Sequence, residues 1–318
     1  MFRRIVTGFV AVATLMVTAV LGGAIWAETA LQRVAVFADY AGRPAAGAGT
    51  NWLLVGSDSR AGLTEQQQAE LATGGEVGNG RTDTILLVHV PGPLSGQPTT
   101  MVSIPRDSYV DIPGWGMDKI NVAFAEGGPT LLAQTVEQST GLRLDHYAEI
   151  GLGGFGGVVD GLGGVRMCLP EPINDPLAGI DLPAGCQVLN GPNALGYVRT
   201  RATPRADLDR MVKQREFMSA MLQRAGSPAV WLNPWRWYAV PAAALDALKV
   251  DNGAHVWSLG WLTWALRGPM TTLTVPIGEF TGNDSGDVAV WDSETAAMLF
   301  GALRSDAPVP QQVLDGQP

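Results

Sequence analysis

Carboxylates and guanidinium groups recur in this sequence where apolar runs begin or end. Gly56-Ser57-Asp58-Ser59-Arg60 follows the run Trp52–Val55, and Asn79-Gly80-Arg81-Thr82-Asp83 leads into the run Thr84–Val90. Ligands of open α/β sheets sit at the carboxyl ends of strands, which puts Asp58 where chemistry is done. If the two runs are antiparallel neighbours, Asp83 joins it at one rim. Two carboxylates facing a phosphate repel it unless a hard cation lies between them, and Mg2+ characteristically joins one or two carboxylates to phosphate oxygens. Taken singly, each aspartate is more often a turn residue. Their joint occurrence at strand ends favours function.

The cations that would receive a phosphate are also grouped. Ser103-Ile104-Pro105-Arg106-Asp107-Ser108 closes a third apolar run, Thr100–Ile104, and Asp118-Lys119-Ile120-Asn121 follows shortly. Singly these are ordinary surface ion pairs. From Arg199 to Arg215 the chain places Arg199, Arg201, Arg205, Arg210, Lys213 and Arg215, six of its 21 basic residues. Leu195–Val198 reads as a strand, and alternation beyond it points Arg199 and Arg201 to one face. Residues 208–224 read as a helix capped by Asp207, with Arg210, Gln214 and Phe217 on one face. A planar guanidinium donates two hydrogen bonds at once to a phosphate, so this density suits a phosphorylated ligand better than a solvated charged face.

Other patterns point elsewhere only weakly. Gly151-Leu152-Gly153-Gly154-Phe155-Gly156 satisfies G-x-G-x-x-G, but its glycines are better read as permitting close packing. Gly56-Ser57-Asp58-Ser59 lacks the second glycine of a nucleophile elbow, and no histidine is evident as its base. The three histidines, His89, His146 and His255, show no zinc-ligand spacing.

Strand-like runs that hold these residues alternate with helical ones, including a helix over Pro129–Ser139 stopped by Gly141, which predicts an α/β domain with helices over a central sheet. Tyr147–Ile150 reads as a further strand. Near the end, strand (Thr272–Pro276), turn-rich loop (Gly282–Gly286) and helix (Asp292–Leu303) follow one another. A chain of 318 residues allows one large domain, and no second composition regime breaks it. The net charge of −9 argues against nucleic acid as a partner and makes any anion site local.

At the start, Arg3 and Arg4 precede an uncharged run from Ile5 to Ala27. It is long enough for a membrane-spanning helix and too long for the core of a cleaved signal peptide, so an uncleaved anchor is expected, with the basic pair in the cytoplasm and the rest outside. The expected organisation is residues 1–4 cytoplasmic, 5–27 transmembrane, 28–50 an extracytoplasmic tether rich in small residues and 51–318 a single outer domain. Cys168 and Cys186, the two cysteines, then lie where disulfides persist and are expected to pair, two buried free thiols being the alternative. Six of the ten tryptophans lie between Trp231 and Trp264, as core packing or as a contact with lipid.

Taken together, GSDSR, GRTDT, SIPRDSYV, DKINVAFAEGG, GLGGFGGVVDGLGGV, the CLP…LPAGC pair and YVRTR with DLDRMVKQREF resemble the LytR-CpsA-Psr family, with cysteines like those of its actinobacterial branch. The likeness is dense from Asn51 to Arg224. It implies a three-layer α-β-α sandwich with a central mixed sheet behind one N-terminal transmembrane helix. It further implies a phosphotransferase that moves a glycopolymer from a polyprenyl-pyrophosphate carrier to peptidoglycan with Mg2+ (or Mn2+), its partners being the lipid-linked donor, the peptidoglycan acceptor and the cytoplasmic membrane. Matched position by position, Asp58 and Asp83 are the metal-site and catalytic aspartates. Arg81, Arg106, Arg199, Arg201 and Arg210 match the pyrophosphate-binding arginines, Arg106 also standing among the catalytic residues, while Lys119 and Gln214 complete the cradle. Two departures stand out: the insertion Ala61–Asn79 between the aspartates, and Arg215 where a second glutamine is common. A hydrolase using the same cradle, and a non-catalytic lipid or glycan binder or regulator, are the rival expectations. Only residues 1–4 precede the span, too few for a DNA-binding module.

Overall fold

The structure is a computed structural model that describes residues 2–57, 82–200, 213, 216–217, 220–221, 223–225, 227–283 and 285–316; within these, the side chains of residues 2–13, 16, 19, 83, 152, 153, 231, 237 and 283 lie outside the description. Seven strands form the central sheet: β1 (Gln32–Val34), β2 (Thr50–Ser57), β3 (Thr82–Val90), β4 (Thr99–Ile104), β7 (His146–Gly151), β12 (Leu248–Asp251) and β13 (Met270–Thr274), in the order β1-β12-β7-β2-β3-β4-β13. β2 runs antiparallel to β3 and parallel to β7, β3 is antiparallel to β4, and β4 is parallel to β13. The sheet is therefore mixed, as expected, and the antiparallel pairing of β2 with β3 holds.

Alternation along these strands feeds two separate cores. Leu53, Val55, Ile85, Leu87, Val102 and Ile104 pack with α2 (Ile120–Thr140) and α8 (Ser293–Arg304). Trp52, Leu54, Val88 and Val90 face the other way, against the end of α1 (Phe2–Ala30), α6 (Arg236–Ala247) and α7 (Val256–Ala265). Helices thus cover both faces of the sheet. The helix ends follow local chemistry: Asp292 accepts from Thr295 N at the start of α8, and Gly141 takes φ 65° at the end of α2. α2 begins directly after Lys119, well before the expected Pro129. It can do so because Gly128, at φ 61° and ψ −155°, absorbs a kink that leaves Pro129 starting a second segment.

A third cluster unites α3 (Leu152–Gly161), α4 (Gly191–Arg199) and the hairpins formed by β8 (Val165–Leu169), β9 (Ile173–Asp175), β10 (Ile180–Leu182) and β11 (Gly185–Leu189). Cys168 and Cys186 face each other in the β8–β11 register and form a disulfide, as the cysteine count suggested. Gly154 serves packing, as the glycine run suggested: a Cβ there would meet Ala247 Cα at 2.5 Å.

Three expectations are corrected. Residues 195–198 are not a strand; they lie in α4, which Asn190 caps by accepting from Asn193 N and which carries Pro192 in its first turn. Cap chemistry here outweighs the short apolar run, and Ala194, Leu195 and Tyr197 are buried on the helix instead. Residues 272–276 hold β13 only to Thr274, and the stretch around 282–286 is the tip of an antiparallel hairpin, β14 (Ile277–Asn283) with β15 (Gly286–Trp291). Part of the segment read as a tether is structural: β1 joins β12 at the sheet edge, and Leu31 and Val36 are buried. Residues 5–27 lie within the single helix α1, while among the described residues no helix is long and apolar enough to cross a membrane.

Candidate active site at one rim of the sheet

Four strand ends meet at one rim. Register pairs Ser57 of β2 with Gly151 of β7, Ser57 with Thr82 and Gly56 with Thr84 of β3, and Ile85 with Ile104 of β4. The backbone of Asp83 consequently lies across from Gly56 and Ser57, at a register shift, and β2 ends one residue before position 58. The expected meeting of Asp58 with Asp83 lies outside the description, since Asp58 and Arg81 are not among the described residues and Asp83 is described by its backbone alone.

Arg106 stands at the same rim, in the turn after β4. Its Nε donates to Asp107 Oδ2 at 3.4 Å, and Lys119 Nζ approaches Asp107 Oδ1, also at 3.4 Å. Asp107 therefore gathers both cations while all three side chains remain partly open to solvent. Such exposed ion pairs contribute about 0–1 kcal/mol, so an arriving phosphate can take over the cations at little cost. The turn beneath them is fixed. Ile120 N bonds Ser108 O, Asn121 N bonds Arg106 O, Ala289 N bonds Asp107 O, and Trp291 Nε1 donates to the buried Ser108 Oγ at 2.9 Å. Lys119 itself ends β6 (Gly116–Lys119), paired with β5 (Tyr109–Ile112), and immediately precedes α2.

Beneath the rim lies a buried carboxylate that sequence reading missed. Glu149 Oε1 accepts from Ser57 Oγ at 2.8 Å, its Oε2 accepts from Tyr147 Oη at 3.0 Å, and Lys249 Nζ lies 3.8 Å away. Burial, followed by the Glu149 charge, pushes the Tyr147 hydroxyl well above its ordinary pKa, so it stays a donor. The available signal was a glutamate inside an otherwise apolar strand, which demands partners if buried.

Arg199 closes α4, and the residue after it is anchored. Thr200 Oγ1 donates to Asp175 Oδ2 at 2.6 Å, both residues being buried, while Asp175 Oδ1 accepts from Leu177 N and Ala178 N. Asp175 thereby fixes the chain between Arg199 and Arg201. It too escaped notice, although Asn174-Asp175-Pro176 is a turn signal. Arg201, Arg210 and Gln214 lie outside the described residues. Around them, Lys213, residues 216–217, 220–221 and 223–225 are helical as expected. Phe217 is fully buried against Phe155 near the start of α3, with ring centroids 5.4 Å apart, and against Tyr197 at 6.3 Å. That contact brings the described part of this helix beside the element that leaves the rim after β7. Burial, then Glu216, pushes the Tyr197 hydroxyl up to about 12.

Among the described residues no group of His, Cys, Asp and Glu could hold a metal ion. Asp58 and Asp83, the expected ligands, have no described side chains. The carboxylates expected there are oxygen donors, the kind Mg2+ takes. A cleft of about 310 Å³, lined by Arg43, Arg143, Asp145 and Asp251, opens at the opposite end of the sheet, away from these residues.

Comparison with known proteins agrees with this architecture. A model of the LytR_cpsA_psr family matches residues 31–254. The Probable cell wall biosynthesis protein LcpB of Corynebacterium glutamicum is 53% identical over 299 residues, covering 94% of this chain and 70% of that relative. Among solved structures, a LytR-Csp2A-Psr enzyme from Actinomyces oris superposes with a TM-score of 0.61 at 21% identity, covering 86% of this chain and 96% of the other. TagT bound to LI-WTA superposes with a TM-score of 0.56 at 24% identity, covering 86% and 96%. The two structures show likeness of fold; the family model and the Corynebacterium relative show kinship. This chain is a member of the LytR-CpsA-Psr family.

Proposed function

We propose that the protein transfers a phosphorylated glycopolymer from a polyprenyl-pyrophosphate carrier to peptidoglycan during cell-wall assembly, working outside the cytoplasmic membrane from a single N-terminal span. The observation that most supports this is the convergence of β2, β3 and β4 at one rim, where Arg106 and Lys119 share Asp107 and the backbone of Asp83 faces the residue before Asp58. Family membership and the cell-wall role in the Corynebacterium relative's name support the same reading. The uncharged run 5–27 within one continuous helix, behind Arg3 and Arg4, supports the anchor.

In this reading Arg81, Arg106, Lys119, Arg199, Arg201, Arg210 and Gln214 bind the pyrophosphate and neutralise charge on the departing lipid phosphate. An acceptor sugar hydroxyl attacks the sugar-bearing phosphorus, a new O–P bond forms, and the bond to the lipid phosphate breaks. One of Asp58 and Asp83 takes the hydroxyl proton. Mg2+ (or Mn2+) held by Asp58 and Asp83 would screen the phosphate oxygens from these carboxylates. Positioning and electrostatic stabilisation of this kind supply most of the catalysis in phosphoryl transfer.

The test is to incubate the full chain in bilayers with a defined lipid-linked pyrophosphoryl sugar, Mg2+ and peptidoglycan fragments. A glycan–phosphate–glycan product that disappears in Arg201→Ala, with the unfolding transition unchanged, is expected. Free phosphorylated sugar alone would assign the cradle to a hydrolase, and binding without turnover to a non-catalytic receptor.

A further inference from the structure

α7, residues 256–265, contains no charged residue and turns an aromatic face outward. Its inner face packs through the buried Leu262, with Val256 and Leu259 partly buried, into the core shared with the sheet. On the other side Trp257 is 66% exposed, Trp261 48% and Trp264 68%. Spacings of four and three residues put the three indoles on one helix face. At ten residues α7 is roughly 15 Å long, about half the hydrocarbon thickness, so it cannot cross a bilayer. Tryptophan is instead the residue enriched where hydrocarbon meets headgroups, and an uncharged helix with indoles on one face suits that layer.

The end of α1 lies beside this face. Glu28 accepts a 3.0 Å hydrogen bond from Val256 N, the first residue of α7, and its other oxygen lies 2.7 Å from His255 Nδ1. The His255 ring stacks on Trp257 with centroids 4.2 Å apart. Trp26, two residues earlier in α1, sits 5.2 Å from the ring of Tyr238 on α6, itself 65% exposed, and Trp235 beside α6 is 83% exposed. Exposed aromatic rings therefore flank α1 on two elements, just where the uncharged run ends. Arg267, past the end of α7, is exposed and offers a cation for anionic headgroups.

We propose that the outer face of α7, with Trp235 and Tyr238, seats the domain on the phospholipid surface, the indoles of Trp257, Trp261 and Trp264 entering the headgroup layer beside the anchor. The inference rests on the reading of α1 as a membrane span. It adds a second attachment that fixes the tilt of the domain, where a single helix alone would leave it free to turn.

Quenching of tryptophan emission tests this on the full chain in phosphatidylcholine–phosphatidylglycerol vesicles, with and without lipids brominated near the headgroup end of the acyl chains. Replacing Trp257, Trp261 and Trp264 together by Phe, or Trp26 alone by Phe, removes each group's share of the quenchable emission if it contacts lipid. The expected result is that both variants lose part of it, the triple variant more, with unchanged thermal unfolding. Unchanged quenching in the triple variant alongside a loss in Trp26→Phe would overturn the seating while leaving the anchor standing. No loss in either variant would overturn both. If the triple variant keeps full quenching but a cross-linker at residue 261 joins two copies, the face belongs to self-association, which likewise overturns the proposal. A set of Trp→Lys exchanges at the same three positions gives an independent check: lipid seating predicts a red-shifted, less quenched ensemble in those variants too.

Discussion

Ser57 donates a 2.8 Å hydrogen bond to Glu149 where β2 and β7 end side by side, one residue before Asp58. The bond ties a buried carboxylate to the last residue of β2, directly before position 58. Ser57→Ala leaves Glu149 short of a donor, and an unsatisfied buried group of this kind costs about 1–3 kcal/mol. Urea unfolding should show that loss, together with slower transfer; an unchanged midpoint would show that Glu149 does not depend on the serine.

Arg43 and Glu137 form a second buried relationship at the opposite end of the sheet. Arg43 Nη2 reaches Glu137 Oε1 at 3.0 Å, and Tyr40 Oη and Leu144 N also donate to that carboxylate. Arg43→Ala strands a buried charge, for which the expected loss is about 3–5 kcal/mol in chemical unfolding. Replacing Arg43 and Glu137 together by apolar residues should be milder than Arg43→Ala alone. Equal losses would sink the explanation.

The Cys168–Cys186 disulfide links β8 to β11 across 18 residues of sequence. Reducing it, or replacing both cysteines by Ser, should lower stability by about 2–4 kcal/mol. Thermal unfolding with and without reductant measures this, and thiol titration of the unreduced, denatured chain should find no free thiol.

Alkaline pH should destabilise the fold with a definite sign. Burial raises the hydroxyl pKa of Tyr147 above its ordinary value and that of Tyr197 to about 12, against 10.0 for a free side chain. In the unfolded chain both ionise from about pH 10, whereas the folded protein keeps its protons, so stability is full below that pH and falls as pH rises past it. Tyr147→Phe should flatten the decline between pH 10 and 12. An unaltered pH profile in that variant would remove Tyr147 from the explanation.

Much of this protein was legible in its residues. Apolar runs bounded by turn residues located β2, β3, β4 and β7, because fully buried strands are apolar on both faces. The placement of Asp83 and Arg106 at strand ends followed from the same runs. Residues 195–198 misled because four apolar or aromatic residues fit a strand and a helix alike, and only the Asn190 cap and the packing of Tyr197 on Phe217 decide between them. Glu149 and Asp175 were invisible for another reason: a carboxylate's value depends on which donors surround it, and Ser57 and Thr200 lie 92 and 25 residues away.

The sequence alone determined the chemistry on offer, through the identity and order of aspartates, arginines and cysteines, since these are properties of side chains and local spacing. The tertiary structure decided what they stand beside. Strand order brings residues 57, 83, 106 and 149 to one rim although up to 92 residues separate their hydrogen-bonded members, and no local pattern encodes such pairing. It also joined Glu28 to Val256, which sets the end of α1 beside the start of α7.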